Sequence, residues 1–128
     1  MIEPILVHYS NFDGIEITVE EKAKPTTGRD RPSLVNFKNR FIFVSGGSNP
    51  QNWDQYYRSV EYYDIATDTW SAAAPLNKAR SYHSSCCMGD FIYVFCGQQK
   101  GGRFTDTIER LDAESMINGN ALACWELT

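Results

Sequence analysis

The chain has 128 residues, 42% of them apolar and 13% aromatic, and a formal net charge of −4. That is one ordinary domain at most, with enough apolar surface for a packed core, so a disordered tail is excluded. No Lys/Arg block supplies the footprint a nucleic-acid backbone requires, and no window approaches the roughly 18 apolar residues of a membrane span. The opening residues MIEPILVHYS carry neither a basic leader nor an apolar run of secretory length. A soluble, cytoplasmic chain is expected, with no nucleic-acid and no membrane partner.

In chain order, the patterning is that of short strands, and no helix is expected. LVNF (34–37) and FIFVS (41–45) are runs rich in aromatic and β-branched residues, joined through Asn39-Arg40. SSCCM (84–88) and FIYVF (91–95) repeat the arrangement through Gly89-Asp90. Asn and Gly tolerate positive φ, so both junctions suit tight hairpins. The second hairpin sets Met88 opposite Phe91, Cys87 opposite Ile92 and Cys86 opposite Tyr93; continued, it sets His83 opposite Cys96. Runs 41–45 and 91–95 are apolar without alternation, which predicts burial on both faces and hence sheets above and below.

The four cysteines, Cys86, Cys87, Cys96 and Cys124, show no CxxC spacing, so reduced thiols are expected. Adjacent strand residues point to opposite faces, so Cys86 and Cys87 cannot grip one metal together. No cofactor or metal is expected.

A fixed offset runs through the chain. Pro25 and Pro75, Asn39 and Gly89, Phe41 and Phe91, Val44 and Val94, and Gly47 and Gly97 lie 50 residues apart, while Glu61 with Asp64 recurs as Glu109 with Asp112 at 48. Gly46 and Gly47 leave a strand end bare of side chains, permitting unusual φ and close approach of a neighbouring backbone. Tyr63 and Trp70 are large plates suited to filling the space between stacked sheets, each with one polar atom to satisfy.

These residues resemble the kelch repeat. RSYHSSCCMGDFIYVFCG, with Arg80, His83, the Gly89-Asp90 turn and the strand ending at Gly97, resembles the first half of the motif. VEYYDIATDTW resembles the second half, and Gly46-Gly47, Tyr63-Asp64 and Trp70 match the family's paired glycines, its Tyr before Asp, and its Trp six residues later. Arg80 and His83 have no counterparts at the 50-residue offset, where Asp30 and Ser33 stand with Arg29 and Arg31 flanking the former. The second copy departs further: Cys96 replaces the first glycine, Leu111 the tyrosine, and seven extra residues separate Asp112 from Trp125. Asn118-Gly119-Asn120 is turn chemistry, so the insertion is read as a longer loop. Phe12-Asp13 and Val19 stand at the spacing of Tyr63-Asp64 and Trp70, so residues 5–20 resemble the back half of a preceding blade.

The resemblance implies an all-β fold, a β-propeller fragment of four-stranded antiparallel blades. The chain divides into a half blade with its third and fourth strands and a connecting loop (1–31), a first blade (32–79) and a second blade (80–128). About two and a half blades cannot close a ring, since propellers have typically 4 to 8. The expectation is a segment of a longer propeller or a truncated product, with self-association possible through the open ends.

As for chemistry, His83 and Cys96 could form a dyad across the hairpin, but no third orienting group is evident. A copper site like that of galactose-oxidase relatives needs tyrosines and histidines from several blades, and the chain has only His8 and His83. No catalytic residue is assigned, and Gly46, Gly47, Glu61, Tyr63, Asp64, Trp70, His83, Gly97, Glu109, Asp112 and Trp125 are read as structural. The loops 48–59, 75–82 and 98–107 share one end of the blades and gather Trp53, Tyr56, Tyr57, Arg58, Arg80, Gln98, Gln99 and Arg103. Aromatic and Arg side chains beside adaptable amides are the composition of protein-binding hot spots. The expected function is a non-catalytic protein-interaction module of adaptor, scaffold or cytoskeleton-binding type, with a protein or peptide partner. The alternative is part of a kelch-type enzyme whose catalytic groups lie in other blades.

Overall fold

The computed structural model describes residues 5–9 and 17–128. Strands β1 (Ile5–Tyr9) and β2 (Ile17–Glu21) pair antiparallel. The match at Phe12-Asp13 lies outside the described residues. Next come β3 (Ser33–Phe37), β4 (Phe41–Ser45), β5 (Ser48–Asn49), β6 (Asn52–Tyr56), β7 (Val60–Asp64) and β8 (Thr69–Ala73). The rest of the chain forms β9 (Ser84–Met88), β10 (Phe91–Phe95), β11 (Gln98–Gln99), β12 (Arg103–Phe104), β13 (Ile108–Asp112), α1 (Ala113–Ile117) and β14 (Glu126–Leu127). Two antiparallel four-stranded sheets dominate, in the orders β3-β4-β7-β8 and β9-β10-β13-β14. Their form is that of the four-stranded antiparallel blades expected of the fold class.

The blades stack face to face around one apolar core. Phe37, Phe43 and Val60 of the first blade and Ile92, Val94, Leu111, Ala113 and Trp125 of the second are buried together, with Leu76 from the connection between them. Each fully buried side chain of this size contributes roughly 1.5–3 kcal/mol of transfer free energy. Phe43 stacks on Tyr62 at 5.1 Å and meets Phe37 edge-on at 6.0 Å. Strand β4 is buried along most of its length, but the expectation that β10 is covered on both faces is corrected, because its outward face is only half-buried. Ile92 and Val94 fill the core while Phe91, Tyr93 and Phe95 turn the other way.

Trp70 and Trp125 both act as plates at the blade boundary, though unequally. Trp125 is buried and its Nε1 donates to Ala74 O at 2.8 Å. Trp70 makes the same contact one blade earlier, Nε1 donating to Ala23 O at 2.7 Å, but is only partly buried. It lies against Tyr63, with ring centroids 5.1 Å apart, and the Tyr63 hydroxyl donates to Asp68. Burial and the Asp68 carboxylate push the Tyr63 phenol up to about 12.

Three local expectations are corrected. The first hairpin closes through three residues, because Phe37 pairs with Phe41, and Lys38 and Asn39 both take positive φ. The second closes through two, with Met88 opposite Phe91 as expected. The insertion after Asp112 is no simple loop: it opens with helix α1, whose N-cap Asp112 accepts from Ser115 N at 3.0 Å. The loops after β4 and β10 are themselves ordered as the small hairpins β5-β6 and β11-β12.

The extra residue in the first hairpin makes the true offset 51 upstream of it. The equivalent pairs are Ala23 with Ala74, Thr26 with Asn77, Arg29 with Arg80, and Arg31 with Tyr82. Pro25 and Pro75, an offset of 50, are therefore not equivalent. Arg80 does have a counterpart, and it is Arg29.

Candidate functional site

The end of the blades that carries the small hairpins is held together by backbone. Asp30 and Ser48 exchange two backbone hydrogen bonds at 2.8 Å, and Ser81 and Gln98 do the same at 2.9 and 2.7 Å. Gly47 N donates to Arg80 O at 2.8 Å and Tyr82 N to Arg31 O at 3.3 Å, so the segments entering β3 and β9 lie side by side. Close approach is why glycine stands here: a Cβ on Gly97, at φ +96°, would fall 2.6 Å from Ser81 O and 2.7 Å from His83 Cβ.

Beneath this end each blade buries an arginine on a glutamate. Arg80 Nη1 donates to Cys96 O and Thr107 O at 3.0 and 2.9 Å, while Nη2 donates to Thr107 Oγ1 at 3.0 Å and Glu109 Oε2 at 2.8 Å. Glu109 also accepts from the backbone N–H groups of Asn77 and Lys78. Arg29 repeats this with Gly46 O, Ser59 O, Ser59 Oγ and, at 3.6 Å, Glu61 Oε1. Burial pulls the Arg29 guanidinium down while Glu61 pulls it up. Arg80 is 0% exposed, so its expected place on the binding surface is corrected: its hydrogen bonds tie the turns together and no partner can reach it.

His83 is buried in the same layer. Its Nε2 shares a 2.9 Å hydrogen bond with Ser45 Oγ of the first blade, an inter-blade role rather than a dyad with Cys96. Cys96 is exposed at φ +62°. Burial and the nearby Arg80 charge push the imidazole down to about 4, so it is neutral at ordinary pH. Among the described residues no group of three or more His, Cys, Asp and Glu is arranged to hold a metal.

The surface above this layer is aromatic and cationic. The Arg31 guanidinium lies over Tyr82 at 4.6 Å and over Trp53 at 5.8 Å, measured to the ring centroids. Trp53 is 66% and Tyr82 56% exposed, so the stack faces solvent. Arg31 and Tyr82 occupy equivalent positions in the two blades, and both take left-handed backbone at φ 54° and 55°. For a side-chain-bearing residue that conformation costs about 1–2 kcal/mol, and the repeat holds it twice.

Around the stack the expected residues divide. Tyr56 Oη reaches Gln98 Oε1 at 3.5 Å, bridging the two hairpins, with Gln98 and Gln99 partly buried. Tyr57 lies under the Arg29 guanidinium, 5.5 Å from centroid to Cζ. Arg58 is exposed, yet its Nε is committed to Leu76 O at 2.7 Å. Arg103 and Phe104 are exposed at the tip of β12. A groove of about 400 Å³ runs between the hairpins, lined by Asn52, Asp54, Gln55, Tyr56, Ala79 and Lys100. Sequence reasoning missed Arg31 and Tyr82 as face residues. Their signal was the 51-residue offset, hidden by the longer first hairpin.

Comparison with known proteins agrees with this geometry. Residues 39–77 match the family model described as Kelch motif. Over 72 residues the chain is 35% identical to Kelch-like protein 36 of Bos taurus, covering 56% of this chain and 11% of that relative. It is 33% identical over 92 residues to Kelch-like protein 23 of Mus musculus, covering 65% of this chain and 16% of the relative. It is 28% identical over 78 residues to Alpha-scruin of Limulus polyphemus, covering 58% and 8% respectively. The chain thus spans between about a twelfth and a sixth of the length of the curated relatives it matches. No helix among the described residues is long and apolar enough to cross a membrane.

Proposed function

We propose, from the premise that this chain belongs to the kelch-repeat family, that it is a non-catalytic protein-interaction module. Its binding surface is the hairpin end of the blades. The observation that carries this reading is the Arg31 stack: a cation held between two solvent-facing aromatic rings, on strained backbone, beside a polar groove. Exposed Trp, Tyr and Arg in one cluster are the anchors that dominate protein interfaces. Strained backbone persists where surrounding structure over-determines it, and it concentrates at ligand clamps.

Trp53, Tyr82 and Arg31 supply the central contacts, and Tyr56, Gln98, Gln99 and Arg103 the adaptable margin. Arg80 supports the surface from below. The partner is a protein or peptide, engaged in the cytoplasm in an adaptor, scaffold or cytoskeleton-binding role. His83 is buried, 7% exposed, with its Nε2 engaged across the blade boundary by Ser45, so a substrate has no access to it, which supports this reading over an enzymatic one.

Selection of binders from a random peptide library tests the proposal. Peptides selected on the chain should bind Trp53→Ala and Tyr82→Ala variants at least tenfold more weakly. They should bind Lys38→Ser, at the opposite turn of the first blade, unchanged. Selected peptides that ignore both aromatic truncations contradict the assignment.

A further inference from the structure

The two small hairpins are unequal, and the difference lies where the repeat does not need it. Gly47 and Gly97 stand 50 residues apart before the hairpins and Glu61 and Glu109 stand 48 apart after them, so the first hairpin carries two residues more. The second is regular, with Gln98 opposite Phe104 and Gln99 opposite Arg103. In the first, Ser48 pairs with Tyr56 and Asn49 with Asn52, so Trp53, Asp54 and Gln55 bulge from β6 with no residue of β5 opposite them. Side-chain hydrogen bonds brace the bulge: Asp54 N donates to Asn52 Oδ1 at 3.2 Å, and Asn49 Nδ2 to Gln55 Oε1 at 2.8 Å. Bulges re-aim side chains, and this one brings Trp53 onto Arg31 and Asp54 to the groove between the hairpins.

An opposite charge lines the same groove. Lys100 opens the turn Lys100–Gly102 of the second blade and forms part of the facing wall. Both side chains are exposed, and among the described residues neither takes part in an ion pair. The walls are neighbouring hairpins, so the groove is bounded on both sides by this chain. Strand β6 and the 100–102 turn approach to within 8 Å between Cα atoms. A further strand between them would hold them about 9–10 Å apart, so the groove admits side chains and not a backbone. Tyr56 and Ala79 complete the lining with apolar surface, against which the stem of a long side chain can lie.

We propose that Asp54 and Lys100 select the partner, a protein segment lying across the hairpin end that carries a Lys or Arg side chain for Asp54 and an Asp or Glu side chain for Lys100. A segment of one sign gains at one wall and is repelled at the other, so the groove discriminates against wholly acidic and wholly basic segments. This inference rests on the hairpin end being the binding surface. It adds which charges that surface reads and which residues read them.

Peptides selected from a random library on the 128-residue chain test it. Each binder should carry both signs of charge. Asp54→Lys should weaken a selected peptide at least about tenfold, and changing that peptide's base to an acid should restore binding to this variant while weakening binding to the natural chain. Lys100→Glu should behave likewise toward the peptide's acid. Both residues are exposed, so the unfolding midpoint should not move. Peptides weakened by Trp53→Ala and Tyr82→Ala that ignore both charge reversals, lose binding without rescue, or carry a single sign overturn the groove and leave the hairpin end as the binding surface. Peptides rescued by charge exchange that ignore both aromatic truncations uphold the groove and overturn the Arg31 stack as its centre. A library that yields no binder overturns both.

Discussion

Arg80 Nη2 lies 2.8 Å from Glu109 Oε2, and both side chains are wholly buried beneath the hairpin end of the second blade. The pair is satisfied on most sides: Cys96 O, Thr107 O and Thr107 Oγ1 accept from the other Nη protons, the backbone N–H groups of Asn77 and Lys78 donate to the carboxylate, and only Arg80 Nε lacks a partner. Removing one member leaves the other charged and unpaired in a low dielectric. Glu109→Ala should therefore cost about 3–5 kcal/mol in urea denaturation. The exposed Lys38 ion pairs with Asp90 and Glu114 offer a control, and Lys38→Ala should leave the midpoint nearly unchanged.

Trp70 and Trp125 should separate in the same assay. Trp125 is 3% exposed and seals the core between the blades, so Trp125→Ala should cost about 3–5 kcal/mol. Trp70 is only partly buried against the preceding segment, and Trp70→Ala should cost clearly less. Equal losses would mean that the first blade is closed as tightly on its N-terminal side as the second blade closes on the first.

The pH dependence of stability should report His83. Its imidazole falls to about 4 in the folded chain from an ordinary value near 6.5, so the unfolded chain binds a proton the folded chain refuses. The associated stability is fully present above about pH 6.5 and is lost as pH falls from there toward 4. At about 1.4 kcal/mol per pH unit the total is roughly 3 kcal/mol. Unfolding midpoints between pH 7 and 5 should fall for the natural chain and flatten for His83→Asn. Parallel slopes would place the proton uptake elsewhere.

Cys96 sits at φ +62° in the place that Gly46 holds, at the same φ, in the first blade. Cys96→Gly removes the left-handed penalty at the cost of some unfolded-state entropy. It should stabilise the chain by up to about 1 kcal/mol. A destabilised variant would show that the thiol makes a contact worth more than the strain.

Strand positions were legible in the sequence because β4 and β10 announce themselves as continuous apolar runs and Gly89-Asp90 fixes the second hairpin. The buried Arg29 was not, because a third residue in the 38–40 turn moves every upstream equivalence from 50 to 51, and the eye follows the commoner interval. Nor was α1: five residues are too few to show helical periodicity, and the helix rests on the Asp112 cap and on packing of Ala113 and Met116 against the core. Arg80 read as a surface cation by type alone, since nothing local in RSYH reveals that Thr107 and Glu109, almost thirty residues on, supply its partners. The face was legible in part, through Trp53, Tyr56 and the glutamines. Its centre, Arg31 on Tyr82, needed the corrected repeat.

The most direct measurement is an amide and indole chemical-shift titration of the labelled chain with a selected peptide. The account predicts that the perturbed signals cluster at the Trp53 indole, Arg31, Tyr82 and Lys100, while the 38–40 and 89–90 turns at the opposite end stay fixed. Perturbation centred on those turns, with the Trp53 indole unmoved, would contradict it.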